Sequence, residues 1–529
     1  MTGNETAADE MAKNMKEVSV SEFFERNRHL LGYDNPTRAL LTVIKELVDN
    51  SLDACEEARI LPRIWVEIKS TGPDRFRVMV KDNGPGMTDK QIPFAFGKLL
   101  YGSKFFRLRQ SRGQQGIGAS GAILYSQLTT GKPTNIIGSI GNGKTSLYEL
   151  MIDVKKNEPE VISRQLIEDG KVWHGLKVEM EIEGRYVDSR QSVTEYIKQV
   201  AIGNPYAEII FEGPPGKMEF KSGSNDLPVL PKEIMLHPHG VELGILRRMM
   251  KATKARTVAS FLSNDFSRIG TGTAKEICQL AGIDAKTSPA RLEVEDAEKL
   301  FRAMQNVKLV RPPTDCLSPL GKDLLMNGLK KEFEAEFYAA ITRQPEVYRG
   351  NPFQIEVAVA YGGQLPVDQT IKIIRLSNRV PLLYMEGDCA MTKAIASTDW
   401  RRYGLQQSPR GLPAGPMVIL IHMASVWVPY ISESKQAIAS YPVIVKEIKL
   451  ALQEIGRQLQ HHVSGKRKAE MQQRRKEIFD RYLPEVAGAV GRLTGNKPEP
   501  ILEKLKSMIR KSTEGVVDGG DKEETGKSG

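Results

Sequence analysis

TRALLTVIKELVDNSLDACEEA, residues 37–58, follows an Asn35-Pro36 pair and reads as one amphipathic helix. Asparagine is a good helix cap, and proline fits the first turn because its missing N–H has no intrahelical partner there. Leu40, Ile44, Leu47 and Leu52 mark the apolar side, while Glu46, Asp49, Asn50 and Asp53, at offsets 0, 3, 4 and 7, share the other face. Three carboxylates and an amide on one stripe repel one another unless a cation or solvent relieves them. A hard ion such as Mg²⁺ takes oxygen ligands, and Asn50 offers one without adding charge. A neighbouring carboxylate could take a proton from an attacking water. Taken alone, the stripe is more commonly a solvated acidic face.

Two segments downstream bear on that choice. VKDNGPGM (80–87) ends a strand-like run, and its D-x-G-x-G lets the backbone turn tightly against a ligand. Asp82 could accept a hydrogen bond from an exocyclic amine, although a plain turn has the same pattern. RGQQGIGASGA (112–122) then precedes an apolar helix. Glycines at 113, 116, 118 and 121 free backbone N–H groups to cradle phosphates at a helix N-terminus. No G-K-[ST] follows, so this is not a Walker A loop. The acidic helix comes first and no β-α-β pair surrounds the loop, so it is not a Rossmann fingerprint either.

The order of the three is more specific than any one of them. An E-x-x-x-N helix, D-x-G-x-G and a glycine-rich lid about thirty residues later resemble the GHKL ATPase superfamily of gyrase, heat-shock chaperone, histidine kinase and MutL. SEFFERN (21–27), KELVDNSLDA (45–54), FGKLLYGSKF (96–105), HPHG (237–240), LSPLGKDL (317–324), DWRRYGL (399–405) and VPYISESKQAIA (428–439) are similar to the ATPase subunits of type IIB DNA topoisomerases, the topoisomerase VI B family. The likeness runs to about residue 490.

That resemblance implies roles. Glu46 would be the general base for the hydrolytic water, and Asn50 the Mg²⁺ ligand. Asp82 would bind adenine, with Gly84 and Gly86 beside it. Ser103 and Lys104 would contact nucleotide. Gly113, Gln114, Gln115, Gly116, Ile117, Gly118, Ala119 and Ser120 would form the phosphate lid over ATP. Lys435 falls where the family places a switch lysine that touches the γ-phosphate from another domain; by itself it reads as a solvated loop lysine. One departure stands out. Related ATPases often carry Gly-Thr near the end of the domain, where the threonine helps bind adenine, but here the pair is Gly175-Leu176. Leucine cannot supply that hydrogen bond, so a water or Asp82 would.

The implied fold is α/β: a Bergerat (GHKL) sandwich, a helix-two-turn-helix insert, and an α/β transducer with a right-handed crossover and a long C-terminal helix. The expected boundaries are an N-terminal strap at 1–20, the ATPase domain at 21–229, the insert at 230–306, the transducer at 307–485 and a C-terminal segment at 486–529. The insert's Ser267–Thr273 would be a glycine-rich turn able to meet DNA phosphate, or simply structural. The implied partners are a second copy clasped on ATP binding, a DNA-cleaving A subunit in an A2B2 heterotetramer, and double-stranded DNA. No D-x-D pair occurs in the chain, so strand cleavage is assigned to the partner. The alternative is a MutL-type mismatch-repair clamp, against which the insert argues. A sensor kinase would need a phosphoacceptor histidine helix ahead of the ATPase motifs. Being shorter than some relatives, the chain is expected to lack an extra C-terminal domain.

Composition fits. At about 150 residues per domain, 529 residues make three or four. The chain is 40% hydrophobic and 26% charged, which excludes a mostly disordered or collagenous polypeptide. Lys plus Arg exceed Asp plus Glu by 75 to 65, a modest excess that permits a polyanionic partner. Cys55, Cys278, Cys316 and Cys389 lie far apart, against a disulfide scaffold or zinc finger. With no transmembrane-length apolar run and no signal-peptide pattern, a cytoplasmic, nucleoid-associated protein without membrane contact is expected.

Alternating RIWVEIKS (63–70) and RFRVMVKD (75–82) predict paired strands, as do 150–154, 177–182, 353–361, 370–378 and 416–424. Pro214-Pro215 to Pro231, with His237-Pro238, reads as a linker, and 241–306 as helices. Val445, Ile448, Leu452, Ile455 and Leu459 predict one apolar stripe on a long helix, followed by the basic KRKAEMQQRRKEIFDR. The last residues, from STEGVVDGG on, read as disordered.

Overall fold

The computed structural model describes residues 18–102, 107–113, 116–168, 170, 173–432 and 435–514. These fall into two compact units that divide between Gly456 and Arg457.

The first unit begins with α1 (Val20–Arg26), which leads to α2 (Pro36–Glu57). The Asn35 side chain accepts from the Arg38 N–H at 2.9 Å and Pro36 opens the first turn, so α2 starts where its sequence dictates. Leu40, Ile44, Leu47 and Leu52 are all buried. Antiparallel β1 (Arg63–Gly72) and β2 (Arg75–Lys81) follow. Next come α3 (Ile92–Gly97), α4 (Gly118–Thr130), β3 (Thr134–Ile140), β4 (Lys144–Asp153), β5 (Glu158–Glu168) and β6 (His174–Glu183). Then come α5 (Val193–Gly203), β7 (Glu208–Gly213) and β8 (Gly216–Phe220). The eight strands form one sheet in the order β5-β4-β3-β6-β2-β1-β7-β8, antiparallel except for the β1/β7 pair. Helices α2 and α4 pack on β6, so the acidic helix and the helix behind the glycine loop lie side by side over the sheet.

Four helices follow: α6 (Leu243–Ala252), α7 (Val258–Asp265), α8 (Thr271–Ala281) and α9 (Val294–Asn306). They bury a core of their own around Leu246, Phe261, Ile277 and Leu300. After α10 (Lys322–Glu332) a second sheet forms from β9 (Phe337–Thr342), β10 (Glu346–Tyr348), β11 (Asn351–Tyr361), β12 (Lys372–Ser377) and β13 (Val380–Pro381). Its last strand comes after α11 (Ala390–Ala396) and the short pair β14 (Gln406–Gln407) and β15 (Pro413–Ala414). This is β16 (Met417–Ser425), buried at every position and seated between β11 and β12. It runs parallel to β12, the two joined through α11 as a β-α-β unit. Helix α12 (Pro442–Thr494) passes from the first unit into the second, and α13 (Pro498–Glu514) follows.

Several expectations need correction. Pro214 and Pro215 are not in a linker: they make the turn of the β7–β8 hairpin, where Gly213 pairs with Gly216. The glycine-rich turn ends at Gly270, and Thr271, Gly272 and Thr273 already belong to α8. Ile448, Leu452, Ile455 and Leu459 are buried, but Val445 is only half-buried and Ile444 takes the inner position. The long helix runs on to Thr494, and α13 had no expectation at all. Residues 1–17 and 515–529, which hold most of the expected strap and of the tail, lie outside the described residues, and Ser512 to Glu514, expected as disordered, belong to α13.

Candidate nucleotide site

A cavity of about 1110 Å³ opens between α2, the end of β2, the start of α4 and the loop before α12. Ligand pockets commonly reach about 1,000 Å³, so a nucleoside triphosphate fits by size. Glu46, Asn50, Asp82, Gly86, Gly113, Gly116, Ile117, Gly118, Ala119, Ser120 and Lys435 all line it. Gly84 sits just behind, where an added Cβ would lie 3.1 Å from Asp82 Oδ1. Ser103, Lys104, Gln114 and Gln115 lie outside the described residues.

At one end Asp82 is held rigidly. Its carboxylate accepts from Ser51 Oγ at 2.8 Å, from the Gly84 N–H at 2.9 Å and from the Leu176 N–H at 3.0 Å. Burial nevertheless pushes Asp82 above the usual carboxylate range, against those three bonds. A buried acceptor fixed by its neighbours is suited to receive an amine N–H from a ligand. Leu176 thus contributes through its backbone. Gly175 is dictated by close approach: at φ +137° an added Cβ would lie 2.2 Å from the Asp82 carbonyl oxygen.

At the other end stands the acidic stripe, which the structure resolves into separate environments. Asp53 is buried and bonds to Arg112 Nη1 at 2.8 Å. Asp49 is buried too, accepts from the Tyr196 hydroxyl at 3.1 Å, and is pushed up by burial to about 7. Glu46 and Asn50 line the cavity beside Asp53, half-buried and exposed respectively. The reading of a solvated acidic face therefore fails: Asp49 and Asp53 are buried, Arg112 balances Asp53, and the Tyr196 hydroxyl donates to Asp49. Glu46 lies against the start of α4, since a Cβ on Gly118 would fall 1.9 Å from Glu46 Oε2. That helix end carries unpaired N–H groups and a partial positive charge, suited to phosphate oxygens.

Lys435 reaches this cavity from the loop between β16 and α12, half-buried and with a left-handed backbone (φ 52°). Burial pulls its ammonium below the ordinary lysine range, and the Glu46 carboxylate opposes that shift. A lysine distant in sequence is thus brought beside the helix that carries Glu46 and Asn50.

Among the described residues no cluster of three or more His, Cys, Asp or Glu side chains is placed to hold a metal. Mg²⁺ taken up with a nucleotide keeps several waters and uses few protein ligands besides phosphates. The exposed Asn50 amide, an oxygen donor at the cavity wall, fits such an ion.

Sequence reasoning missed Ser51, Arg112 and Lys45, another lining residue. Arg112 had a visible signal, since it directly precedes the glycine loop. Ser51 sits within the quoted helix but outside the four-residue stripe.

Comparison with known proteins gives a consistent result. The family model described as histidine kinase-, DNA gyrase B-, and HSP90-like ATPase matches residues 35–153. That described as topoisomerase VI B subunit, transducer, matches residues 312–475. The type 2 DNA topoisomerase 6 B subunit of Methanosarcina barkeri is 45% identical over 525 residues, covering 97% of this chain and 84% of that one. The protein of the same name from Pyrococcus furiosus is 39% identical over 562 residues, covering 96% and 98%. Among solved structures, the ATPase region of Saccharomyces cerevisiae topoisomerase II is similar at a TM-score of 0.40 and 11% identity, covering 86% of this chain and 100% of that one. None of this favours the mismatch-repair alternative. With a nucleotide-type cavity in one part, a matching transducer in another and relatives aligned nearly end to end, the chain belongs to the family of type 2 DNA topoisomerase 6 B subunits.

Proposed function

We propose that this chain is the ATP-binding and hydrolysing B subunit of a type IIB DNA topoisomerase, and that each residue of the cavity has a separate task. Asp82, fixed by Ser51, Gly84 and Leu176, receives the adenine amine. The loop from Gly113 to Ser120 and the N-terminus of α4 offer N–H groups to the phosphates. Glu46 takes the proton of the hydrolytic water. Mg²⁺ held through Asn50 would neutralise phosphate charge. Lys435 senses the terminal phosphate and so ties the second sheet to the state of the nucleotide.

The observation that carries this reading is the meeting of Glu46, Asn50, Asp82 and Lys435 in one cavity. From it we infer a cycle. Two copies close on ATP through their N-terminal segments and move DNA-cleaving A subunits in an A2B2 assembly. One duplex is cut there while another passes. The domain boundaries follow the same division: strap 1–20, ATPase domain 21–229, helical insert 230–306, transducer 307–485 and C-terminal segment beyond. No helix of the described residues is long and apolar enough to cross a membrane.

Reconstitution tests the proposal. Mixed with an A subunit, the chain should relax supercoiled DNA only when ATP and Mg²⁺ are both present. Glu46→Ala should still bind nucleotide and dimerise but lose turnover by about 10²-fold or more, the range expected for removal of a general base. Normal turnover by that variant would remove Glu46 from its role.

A further inference from the structure

Gln110, Ser111 and Arg112, directly ahead of the glycine-rich loop, are each anchored elsewhere. The Gln110 side chain clasps the backbone of Ser318, donating to its carbonyl at 3.1 Å and accepting its N–H at 2.6 Å. The Ser111 carbonyl accepts from Asn378 Nδ2 at 3.0 Å, and that same amide nitrogen donates to the Ser425 carbonyl of β16 at 2.9 Å. Arg112 is buried, and its Nη2 meets Glu56 Oε1 at 2.5 Å and Asn204 Oδ1 at 2.6 Å. The other oxygen of Glu56 lies 3.3 Å from Arg379 Nη2. Arg379 stands in the turn between β12 and β13, in a left-handed conformation (φ 68°). Its N–H donates to His422 Nε2 of β16 at 3.1 Å. One carboxylate at the end of α2 is therefore shared by the arginine that heads the loop and by an arginine of the second sheet. The Tyr206 hydroxyl closes the ring, 2.5 Å from Glu56, 3.2 Å from Arg112 and 3.2 Å from Arg379.

Such a cluster is stiff. Burial alone would push the Glu56 carboxyl up, but the two guanidiniums overcome it and hold it below the usual range. Two arginines balance Asp53 and Glu56, so displacing any member leaves a buried charge uncompensated. The pair cannot shift independently: movement of the β12–β13 turn must move Glu56 or break its ion pair with Arg379.

We propose that Arg112 and Arg379, joined through Glu56, are positioning residues that set the phosphate-binding shape of the glycine-rich loop according to the state of the second sheet. This rests on the nucleotide reading above and adds to it a second route between cavity and transducer. The Lys435 route would act on the terminal phosphate itself. This one touches no nucleotide and enters through the fixed end of the loop. Coupling of this kind is reciprocal, so occupation of the loop must also bias the second sheet.

The test uses the full-length chain and its Arg112→Met, Arg379→Met and doubly substituted variants, with Tyr206→Phe as a milder probe that keeps every charge. Affinities for ADP and for a non-hydrolysable ATP analogue, both with Mg²⁺, are measured by calorimetry beside KM and kcat. Each arginine variant should weaken the analogue about tenfold while moving ADP less than about twofold, and the double variant should be no worse than about the weaker single one, as expected of residues acting as a unit. Equal weakening of both nucleotides, additive losses or unchanged binding would overturn the proposal. Should the arginine variants fail to fold, Tyr206→Phe decides: selective loss of analogue affinity supports the coupling, and wild-type behaviour refutes it. Wild-type protein that binds neither nucleotide would instead sink the nucleotide reading, an outcome visible before any variant is compared.

Discussion

Gly118 shows how closely single residues are constrained here. It is the first residue of α4, and any side chain at this place would occupy the position of the Glu46 carboxylate. The obstructing atom is the end of a flexible side chain, so Gly118→Ala should leave the fold intact and swing Glu46 aside. The expected result is a kcat lowered about tenfold to a hundredfold, since misplacing a catalytic group by about 1 Å has that scale of effect, with nucleotide affinity little changed. Steady-state kinetics beside calorimetry would check it. Glu46, Asn50 and Asp82, which line one cavity, could be picked out as candidates because their signals are local: offsets on one helix and a five-residue turn. The Glu56 carboxylate was not. Its partners Arg112, Tyr206 and Arg379 lie far along the chain, and no periodicity reports pairings over 56 residues or more. Lys435 was reached only through resemblance, because nothing about a loop lysine announces a cavity.

Among the elements, β11 and β16 carry the clearest test. Their residues Glu356 and His422 face each other in register, both fully buried, with His422 Nδ1 2.7 Å from Glu356 Oε2. His422 Nε2 accepts the Arg379 N–H, which leaves Nδ1 to carry its hydrogen toward Glu356. Leu320 and Gly321 also donate backbone N–H groups to this carboxylate, each at 2.8 Å. Burial works to raise Glu356, but these bonds outweigh it and hold the carboxyl below its ordinary value. A depressed acid stabilises the fold above its unfolded pKa, near 4.3, and loses that contribution as pH falls through the folded value. Glu356→Gln should therefore be less stable than wild type at pH 7, by about 3 kcal/mol. The gap should narrow below about pH 4. Denaturant unfolding at both pH values measures it; a gap independent of pH would contradict the assignment. At this scale the strands with clean alternation or continuous apolar runs were foreseen. The β7–β8 hairpin was hidden because its Pro214-Pro215 turn looks like a linker. Helix α13 was hidden because its charged sequence resembles a tail.

For the molecule as a whole, two sheets meet at one cavity, and the account requires that ATP bind between them. The cavity draws Asp82 and Glu46 from the first sheet's layer and Lys435 from the loop after the second sheet. The most direct measurement is calorimetric titration of the full-length chain with a non-hydrolysable ATP analogue and Mg²⁺. The account predicts one binding event per chain for the wild type and at least about a hundredfold loss of affinity in Asp82→Asn, because the amide's NH₂ would confront the adenine amine where an acceptor is needed. Equal binding by that variant, or no heat from the wild type, would contradict it.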